Sequence, residues 1–318
     1  MTLSNRFLTI RVALPDTRHG FNRASRFDRA GMVVWAADAS GFVAMAPHTQ
    51  ASDHDPAIDD HVAGTAGEFS IEAPPGYNDA NPGETFLKIG VGLLERTDDR
   101  SYRFRHAYPI RDAGQWQVES GPTAVTLIHE LSSSLGWAYR YRITVRLYDD
   151  RAGFEIERQL ENLSSRRLAV CHYSHNFVWL DGHAATPGAR IAVEPPHRAA
   201  RPPKFRGAAE WKAGTLSVID RPATPGIVRL IPEQAQEPDD PAAWSAVLSH
   251  PDATRAMTIS QVPMPDRTIL YLDDRTASIE PFIDLDLLPG ASASWRTAYE
   301  MVPPWTPEDR APIDPIAP

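Results

Sequence analysis

The chain has 318 residues, of which 42% are hydrophobic and 23% are charged. These proportions are ordinary for a globular protein, so they exclude a wholly disordered chain, and the length is sufficient for a large core. The single cysteine, Cys171, excludes an intrachain disulfide and a zinc site built from cysteines.

Charge and hydropathy exclude two classes of partner. The formal net charge is −9, with 41 acidic against 32 basic residues, which is the wrong sign for a nucleic-acid-binding protein. No apolar run approaches the roughly 20 residues of a membrane span. Residues 1–15 contain Asn5, Arg6 and Arg11 and therefore lack the apolar block of a signal peptide. We expect a cytoplasmic protein that binds neither nucleic acid nor a membrane.

The clearest periodicity is that of β-strands. Apolar and polar side chains alternate strictly over residues 139–147, and the alternation resumes over residues 154–160 after a turn that contains Asp and Gly. This pattern predicts a β-hairpin. Further strands are predicted over residues 7–12, 32–35, 42–46, 124–131, 168–171, 215–218, 256–261, 268–272 and 292–301.

The spacing of these strands and the proline content indicate the architecture. Short strands at regular spacing favour a large sandwich or barrel, and the 29 prolines argue against a helical bundle. A helix is predicted over residues 241–248, with Asp240 as its N-cap and Pro241 in its first turn. Loops are predicted over residues 48–67 and 195–207.

The sequence contains no P-loop, no dinucleotide-binding fingerprint, no GxSxG and no HExxH motif. It does contain two nearby histidines, His172 and His175, followed by Asn176. On a strand the two imidazoles lie on opposite faces, so they converge on one ligand only if the strand bends at Ser174. The alternative is a pair of partly buried histidines with ordinary hydrogen bonds.

A second candidate is Glu280, which stands among apolar residues just before Pro281. A carboxyl group in such surroundings is suited to act as an acid or a base, whereas the alternative is a surface glutamate at a turn. Arg23 and Arg26 lie in a basic stretch over residues 18–28. Guanidinium groups suit sugar hydroxyls or a carboxylate, and the alternative is a solvated basic segment.

Aromatic side chains near a third histidine form another candidate. His106, Tyr108 and Trp116 would suit a sugar, because the C–H face of a sugar ring stacks on aromatic rings. The alternative is that these aromatic residues pack within a β-sheet core.

Taken in order and spacing, these segments resemble the aldose 1-epimerase, or galactose mutarotase-like, superfamily. The resemblance is carried by residues 23–28, residues 76–90, Trp116, His175-Asn176-Phe177, Ile279-Glu280-Pro281, Leu288-Pro289-Gly290 and Trp295. It implies an all-β fold, a large antiparallel β-sandwich of the supersandwich type, over residues 1–302. An extended, proline-rich tail would follow over residues 303–318. Because His175 precedes Asn176, the reverse of the usual family order, the chain would be a divergent member.

The resemblance also implies a function. Family enzymes interconvert the α and β anomers of a free sugar and need no cofactor, so we expect neither a cofactor nor a metal ion. Glu280 resembles the family's catalytic base and His175 its acid, and His106 is similar in placement to a second active-site histidine. The residues expected to help bind the sugar are Arg23, Arg26, His106, Tyr108, Trp116, His172 and Asn176.

Two other functions stay open at this point. One is a lyase or hydrolase on the same scaffold, in which His172, His175 and a carboxylate bind a divalent metal ion. The other is a non-catalytic carbohydrate-binding protein, which would not need Glu280. In each case the expected partner is a small, neutral or weakly charged carbohydrate, because the net charge of −9 disfavours a polyanion.

Overall fold

The computed structural model describes residues 1–16, 18–47, 55–57, 64–133, 135–233 and 244–304. The regular secondary structure of these residues is almost entirely β-strand, with one 3₁₀ helix, Leu180–Gly182. No helix within them is long and apolar enough to cross a membrane. The strands are β1 (Thr2–Ser4), β2 (Leu8–Val12), β3 (Val33–Asp38), β4 (Val43–Met45), β5 (Gly64–Phe69), β6 (Thr85–Lys88), β7 (Gly92–Glu95), β8 (Ile110–Asp112), β9 (Gln115–Ser120), β10 (Ala124–Ser132), β11 (Ala138–Leu147), β12 (Gly153–Asn162), β13 (Leu168–Val178), β14 (Arg190–Glu194), β15 (His197–Ala199), β16 (Ala209–Lys212), β17 (Thr215–Val218), β18 (Gly226–Pro232), β19 (Trp244–Ser249), β20 (Ala256–Val262), β21 (Arg267–Leu272), β22 (Ala277–Leu287) and β23 (Ser292–Val302).

The strands form two large sheets and two small ones. The ten-stranded sheet has the order β16-β17-β14-β19-β20-β23-β12-β11-β10-β9, and the six-stranded sheet has the order β15-β18-β21-β22-β13-β5. The small sheets are β1-β2-β3-β4 and β6-β7-β8. Strand pairs in both large sheets are antiparallel, so the predicted all-β, antiparallel sandwich is confirmed.

The predicted hairpin is β11 and β12. Val145 lies opposite Ile156 on its buried face. On its outer face Arg140 forms ion pairs with Glu130 at 2.6 Å and Glu161 at 2.9 Å. Such exposed pairs contribute about 0–1 kcal/mol each, so burial of the apolar face, rather than these charges, stabilises the hairpin.

The core lies between the two large sheets. Phe69 of β5 packs edge-on against Tyr141 of β11, with ring centroids 5.1 Å apart. The ring centroid of His172 on β13 lies 4.8 Å from that of Trp295 on β23. Aromatic pairs of this kind contribute about 0.5–1.5 kcal/mol beyond the area they bury. They fix β13 against the ten-stranded sheet.

Three predicted segments differ from the structure. The predicted helix over residues 241–248 is wrong, because β19 occupies its described part and is buried on both faces. A strand buried on both faces has a continuous apolar run, which periodicity does not distinguish from a helix. The predicted loop over residues 48–67 ends in β5, and the loop over residues 195–207 contains β15. Most of the first loop, and residues 305–318 of the tail, lie outside the described residues.

Gly90 allows a buried carboxylate to approach the turn between β6 and β7. Its φ is +77°, and a Cβ added there would lie 2.1 Å from Asp28 Oδ1. We expect Gly90→Ala to lower the free energy of unfolding by about 2–4 kcal/mol, from overpacking and the left-handed backbone together. Urea unfolding measures this loss. Gly83→Ala is the control, since Gly83 has a φ of +90° and no atom within 4 Å of an added Cβ; equal losses in the two variants would contradict the prediction.

Candidate active site

The two predicted catalytic residues meet where β13 and β22 run side by side. Their register pairs Tyr173 with Phe282 and Phe177 with Ser278, which places His175 level with Glu280. His175 Nδ1 lies 2.6 Å from Glu280 Oε1, although the residues are 105 positions apart in the sequence. Their side chains are 12% and 6% exposed. The pair is therefore nearly buried but still reaches the surface of the six-stranded sheet.

The Glu280 carboxylate is held from one side. Ser278 Oγ donates a hydrogen bond to Glu280 Oε1 at 3.1 Å, and the Asn176 backbone N–H donates to Ser278 Oγ at 3.2 Å. Oε1 is thus an acceptor for both Ser278 and His175. Oε2 has no hydrogen-bond partner among the described residues, so it is the oxygen left to take a proton from a bound molecule.

The His175 ring is fixed by its neighbours. Phe177 stacks on it with ring centroids 5.2 Å apart, and Phe27 packs edge-on at 5.3 Å. Nε2 lies 3.0 Å from the Tyr173 hydroxyl and 3.3 Å from Arg26 Nη2. The orientation of the ring is therefore set on both nitrogens, by Glu280 on one side and by Tyr173 and Arg26 on the other.

Arg26, Glu68, Lys88 and Tyr173 form a buried polar cluster beside the pair. Glu68 Oε2 accepts hydrogen bonds from Arg26 Nε at 2.8 Å and from the Tyr173 hydroxyl at 2.5 Å. Glu68 Oε1 lies 3.2 Å from Lys88 Nζ. Burial alone would raise the pKa of the Glu68 carboxyl, but Lys88 and Arg26 hold that pKa below its usual range. The cluster therefore contains one carboxylate and two cations, all shielded from water.

Sequence reasoning identified Arg26 but missed Glu68 and Lys88. Glu68 directly follows a segment predicted to be a loop, and Lys88 stands alone among apolar residues. A buried charge requires a partner, and an isolated lysine in an apolar strand was the one signal available. Its partner lies 20 positions away in another strand, which no local pattern indicates.

Three other predicted sugar-binding side chains have their contacts elsewhere. Arg23 Nη1 donates to the Arg18 carbonyl at 3.0 Å. His106 Nε2 lies 2.9 Å from Thr97 Oγ1. Trp116 stacks on His129 at the β9 edge of the ten-stranded sheet, with ring centroids 4.2 Å apart. Among the described residues, none of these contacts reaches the His175–Glu280 pair, so roles for these side chains in sugar binding stay predictions.

Tyr108 belongs to a separate aromatic cluster. It is buried and packs against Phe86 with ring centroids 5.2 Å apart, and its hydroxyl lies 3.4 Å from that of Tyr77. Its contacts match the alternative given by the sequence, in which these aromatic residues pack a β-rich core.

His172 and Asn176 require a correction, because both point into the core. The His172 ring lies between the sheets, and burial, with a smaller contribution from Arg158, lowers its pKa well below the usual value. Asn176 Nδ2 donates to the Ile279 carbonyl at 2.6 Å, and its Oδ1 accepts from the Tyr299 hydroxyl at 2.8 Å. Both side chains therefore lie on the core side of β13, and none of these contacts supports the sugar-binding roles predicted for them.

The same geometry separates the two histidines on which the metal-assisted alternative partly depends, whereas the His- and Asp-rich segment 48–61 that also favoured it lies mostly outside the described residues. β13 continues through Ser174, so His172 and His175 project from opposite faces of one strand and do not converge. Within the described ranges, no group of three or more His, Cys, Asp or Glu side chains is placed to hold a metal ion.

The buried carboxyl group of Asp28 gives a pH-dependent prediction. Its Oδ2 accepts from the Tyr141 hydroxyl at 3.0 Å, and burial raises its pKa to about 6. Since the unfolded value is about 3.9, the folded state binds more protons between about pH 4 and pH 6. The contribution of Asp28 to the free energy of unfolding is therefore fully present below pH 4 and is lost as the pH rises through 6.

Asp28→Asn stays neutral at every pH and so isolates this effect. We expect the free energy of unfolding of the wild type, relative to Asp28→Asn, to fall by about 2–3 kcal/mol between pH 4 and pH 7.5. Urea unfolding of both proteins at each pH measures the difference. A difference that does not change with pH would show that Asp28 titrates normally.

The sequence matches no family model and no curated protein. Solved structures do match in fold. A galactose mutarotase-like protein from Lactobacillus casei ATCC 334 has 12% identity and a TM-score of 0.53, with 95% of this chain and 99% of that chain covered. An aldose epimerase homologue from C. elegans has 11% identity and a TM-score of 0.56, with 95% of this chain and 98% of that chain covered. A galactose 1-epimerase from Lactobacillus acidophilus NCFM has 10% identity and a TM-score of 0.56, covering 96% and 94%. With these likenesses along nearly its whole length, the chain has the fold of the galactose mutarotase-like proteins.

Proposed function

We propose that this protein interconverts the α and β anomers of a free sugar, with Glu280 as the base and His175 as the acid. The observation that carries the proposal is the His175–Glu280 pair, held at 2.6 Å on one sheet. The fold supports it, because a solved protein with this fold is a galactose 1-epimerase. Mutarotation requires an acid and a base at the same sugar, and neither the pair nor the reaction requires a cofactor.

The proposed reaction consists of two proton transfers that are later reversed. Glu280 Oε2 takes the proton of the C1 hydroxyl, and the His175 imidazolium gives a proton to the ring oxygen. The bond between C1 and the ring oxygen breaks, and the C1–C2 bond of the open aldehyde rotates. Reclosure on the other face returns both protons, so no net proton is gained or lost. A positioned acid or base contributes about 10²–10⁴-fold.

A neutral or weakly charged sugar suits this site better than a phosphorylated one. Arg26, the guanidinium nearest the pair, donates from Nε to Glu68 Oε2 at 2.8 Å. Its charge is therefore compensated by a buried carboxylate. This arrangement supports a role in holding the site together rather than in clamping a substrate anion.

The experiment is a measurement of anomer exchange on freshly dissolved aldoses, by polarimetry and by NMR magnetisation transfer. The protein is expected to exceed the spontaneous rate for at least one neutral hexose or pentose. A His175→Ala preparation purified in the same way is the control for contaminating activity. Sugar binding without acceleration would favour the non-catalytic alternative. The absence of both binding and acceleration would overturn the proposal.

A further inference from the structure

Glu68 and Tyr173 lie outside the pair that performs the proposed chemistry, yet they are connected to it by hydrogen bonds. Glu68 is wholly buried and accepts from Arg26, Tyr173 and Lys88. Its lowered pKa keeps it ionised at neutral pH, and an ionised carboxylate only accepts hydrogen bonds. Burial and the adjacent Glu68 raise the pKa of the Tyr173 phenol well above its usual value. Tyr173 therefore keeps its one proton and donates it to Glu68.

The direction of that bond determines what Tyr173 offers to His175. With its proton directed at Glu68, the Tyr173 oxygen presents only lone pairs to His175 Nε2, 3.0 Å away. A lone pair facing a ring nitrogen is favourable only if that nitrogen carries a hydrogen. On the opposite side Glu280 Oε1 already accepts from Ser278 and lies 2.6 Å from Nδ1. Nδ1 of His175 thus faces an acceptor. Nε2 faces the acceptor oxygen of Tyr173 and also Arg26 Nη2, a donor that lies 3.3 Å from both atoms.

Arg26 opposes protonation of His175 Nε2, because its guanidinium is a permanent cation whose Nη2 lies 3.3 Å from Nε2. Glu68 compensates that cation through the 2.8 Å ion pair with Arg26 Nε. The charged and titratable groups that contact the ring are accordingly Tyr173 on β13, Glu280 on β22 and Arg26. Glu68 on β5 acts on two of these three neighbours.

We infer that Glu68, acting through Tyr173, is a positioning residue that keeps the Nε2 proton on His175. Neither side chain is placed to exchange a proton with the sugar. They retain a proton on His175, the proposed acid, so that both ring nitrogens are protonated before the sugar binds. The catalytic consequence rests on the proposed function, whereas the location of the proton does not.

The test observes the His175 ring directly by 15N NMR of histidine-labelled protein at pH 7, with signals assigned from a His175→Gln variant. The wild type is expected to carry a proton on Nε2. In Tyr173→Phe this proton is expected to be lost, so that only Nδ1–H remains. Tyr148→Phe is the matched control, because it removes a hydroxyl whose partner is Glu155 on β12 of the ten-stranded sheet, at 3.5 Å. It should leave the His175 signals unchanged.

Kinetics give the second measurement. Tyr173→Phe and Glu68→Gln should each lower kcat about 10–100-fold, a part of what a positioned acid contributes, with little change in KM. The loss in Tyr173→Phe should shrink as the pH is lowered, because the ring then takes its second proton from the solvent. The double variant should lose no more than the worse single variant, because the two residues act in one chain.

The outcomes separate this inference from the proposed function. A wild-type ring without the Nε2 proton, or a Tyr173→Phe ring that keeps it, overturns the inference even if anomer exchange is fast. The expected NMR result in a protein that does not exchange anomers overturns the function and leaves the proton placement standing. If Tyr173→Phe does not fold, the wild-type spectrum still decides whether Nε2 carries a proton.

Discussion

Glu280→Gln is expected to slow anomer exchange by about 10²–10⁴-fold, the contribution of one positioned base. The amide has nearly the same volume as the carboxylate, and its carbonyl oxygen still accepts from His175 Nδ1 and Ser278 Oγ. It has no basic oxygen to take the C1 proton. The loss should therefore appear in kcat, while the circular dichroism spectrum and the unfolding midpoint stay close to those of the wild type.

Glu157→Gln is the matched control. Glu157 is exposed on β12 in the ten-stranded sheet. Its substitution by glutamine makes the same chemical change away from the site. Its anomer exchange rate should equal that of the wild type. Retention of more than a tenth of the activity by Glu280→Gln would assign the base to another group and overturn the role proposed for Glu280.

The largest loss of stability is expected from Lys88→Met. The Lys88 ammonium is wholly buried and donates to Glu68 Oε1 at 3.2 Å, to the Phe69 carbonyl at 2.5 Å and to the Tyr102 hydroxyl at 3.2 Å. Methionine matches its length but leaves the buried Glu68 carboxylate short of one cation. Removing one partner of a buried ion pair costs about 3–5 kcal/mol. Urea unfolding at neutral pH measures this loss.

A second lysine provides the comparison. Lys212 is exposed on β16, so Lys212→Met should change the free energy of unfolding by less than about 0.5 kcal/mol. A loss below about 1 kcal/mol in Lys88→Met would mean that Arg26 alone compensates Glu68. The buried cluster would then be weaker than its distances indicate.

The hairpin of β11 and β12 is the element that the sequence predicted most directly. The alternation in β11 and β12 follows directly from a sheet with one wet and one dry side. β22 was not predicted as a strand, because it is buried on both faces for most of its length and contains Pro281. A proline argues against a central strand in isolation. Pairing with β13 and β21 overrides that local preference.

The candidate site was only partly predictable for a similar reason. Alternation placed His172 and His175 on opposite faces, and the structure agrees. The meeting of His175 with Glu280 followed only from the family resemblance, since no local pattern reports a contact between residues 105 positions apart. Glu68 and Lys88 were missed because the compensation of a buried charge depends on partners that the chain brings together only when it folds.

β13 divides its side chains between two tasks, and this division has an evolutionary consequence. His172, Ser174 and Asn176 face the core, so most substitutions there are removed by selection for folding. Tyr173 and His175 project to the other side, and of these two side chains only His175 is partly exposed. A substitution at position 175 therefore disturbs packing less than one at its core-facing neighbours. A scaffold arranged in this way can host different chemistry without a change of fold.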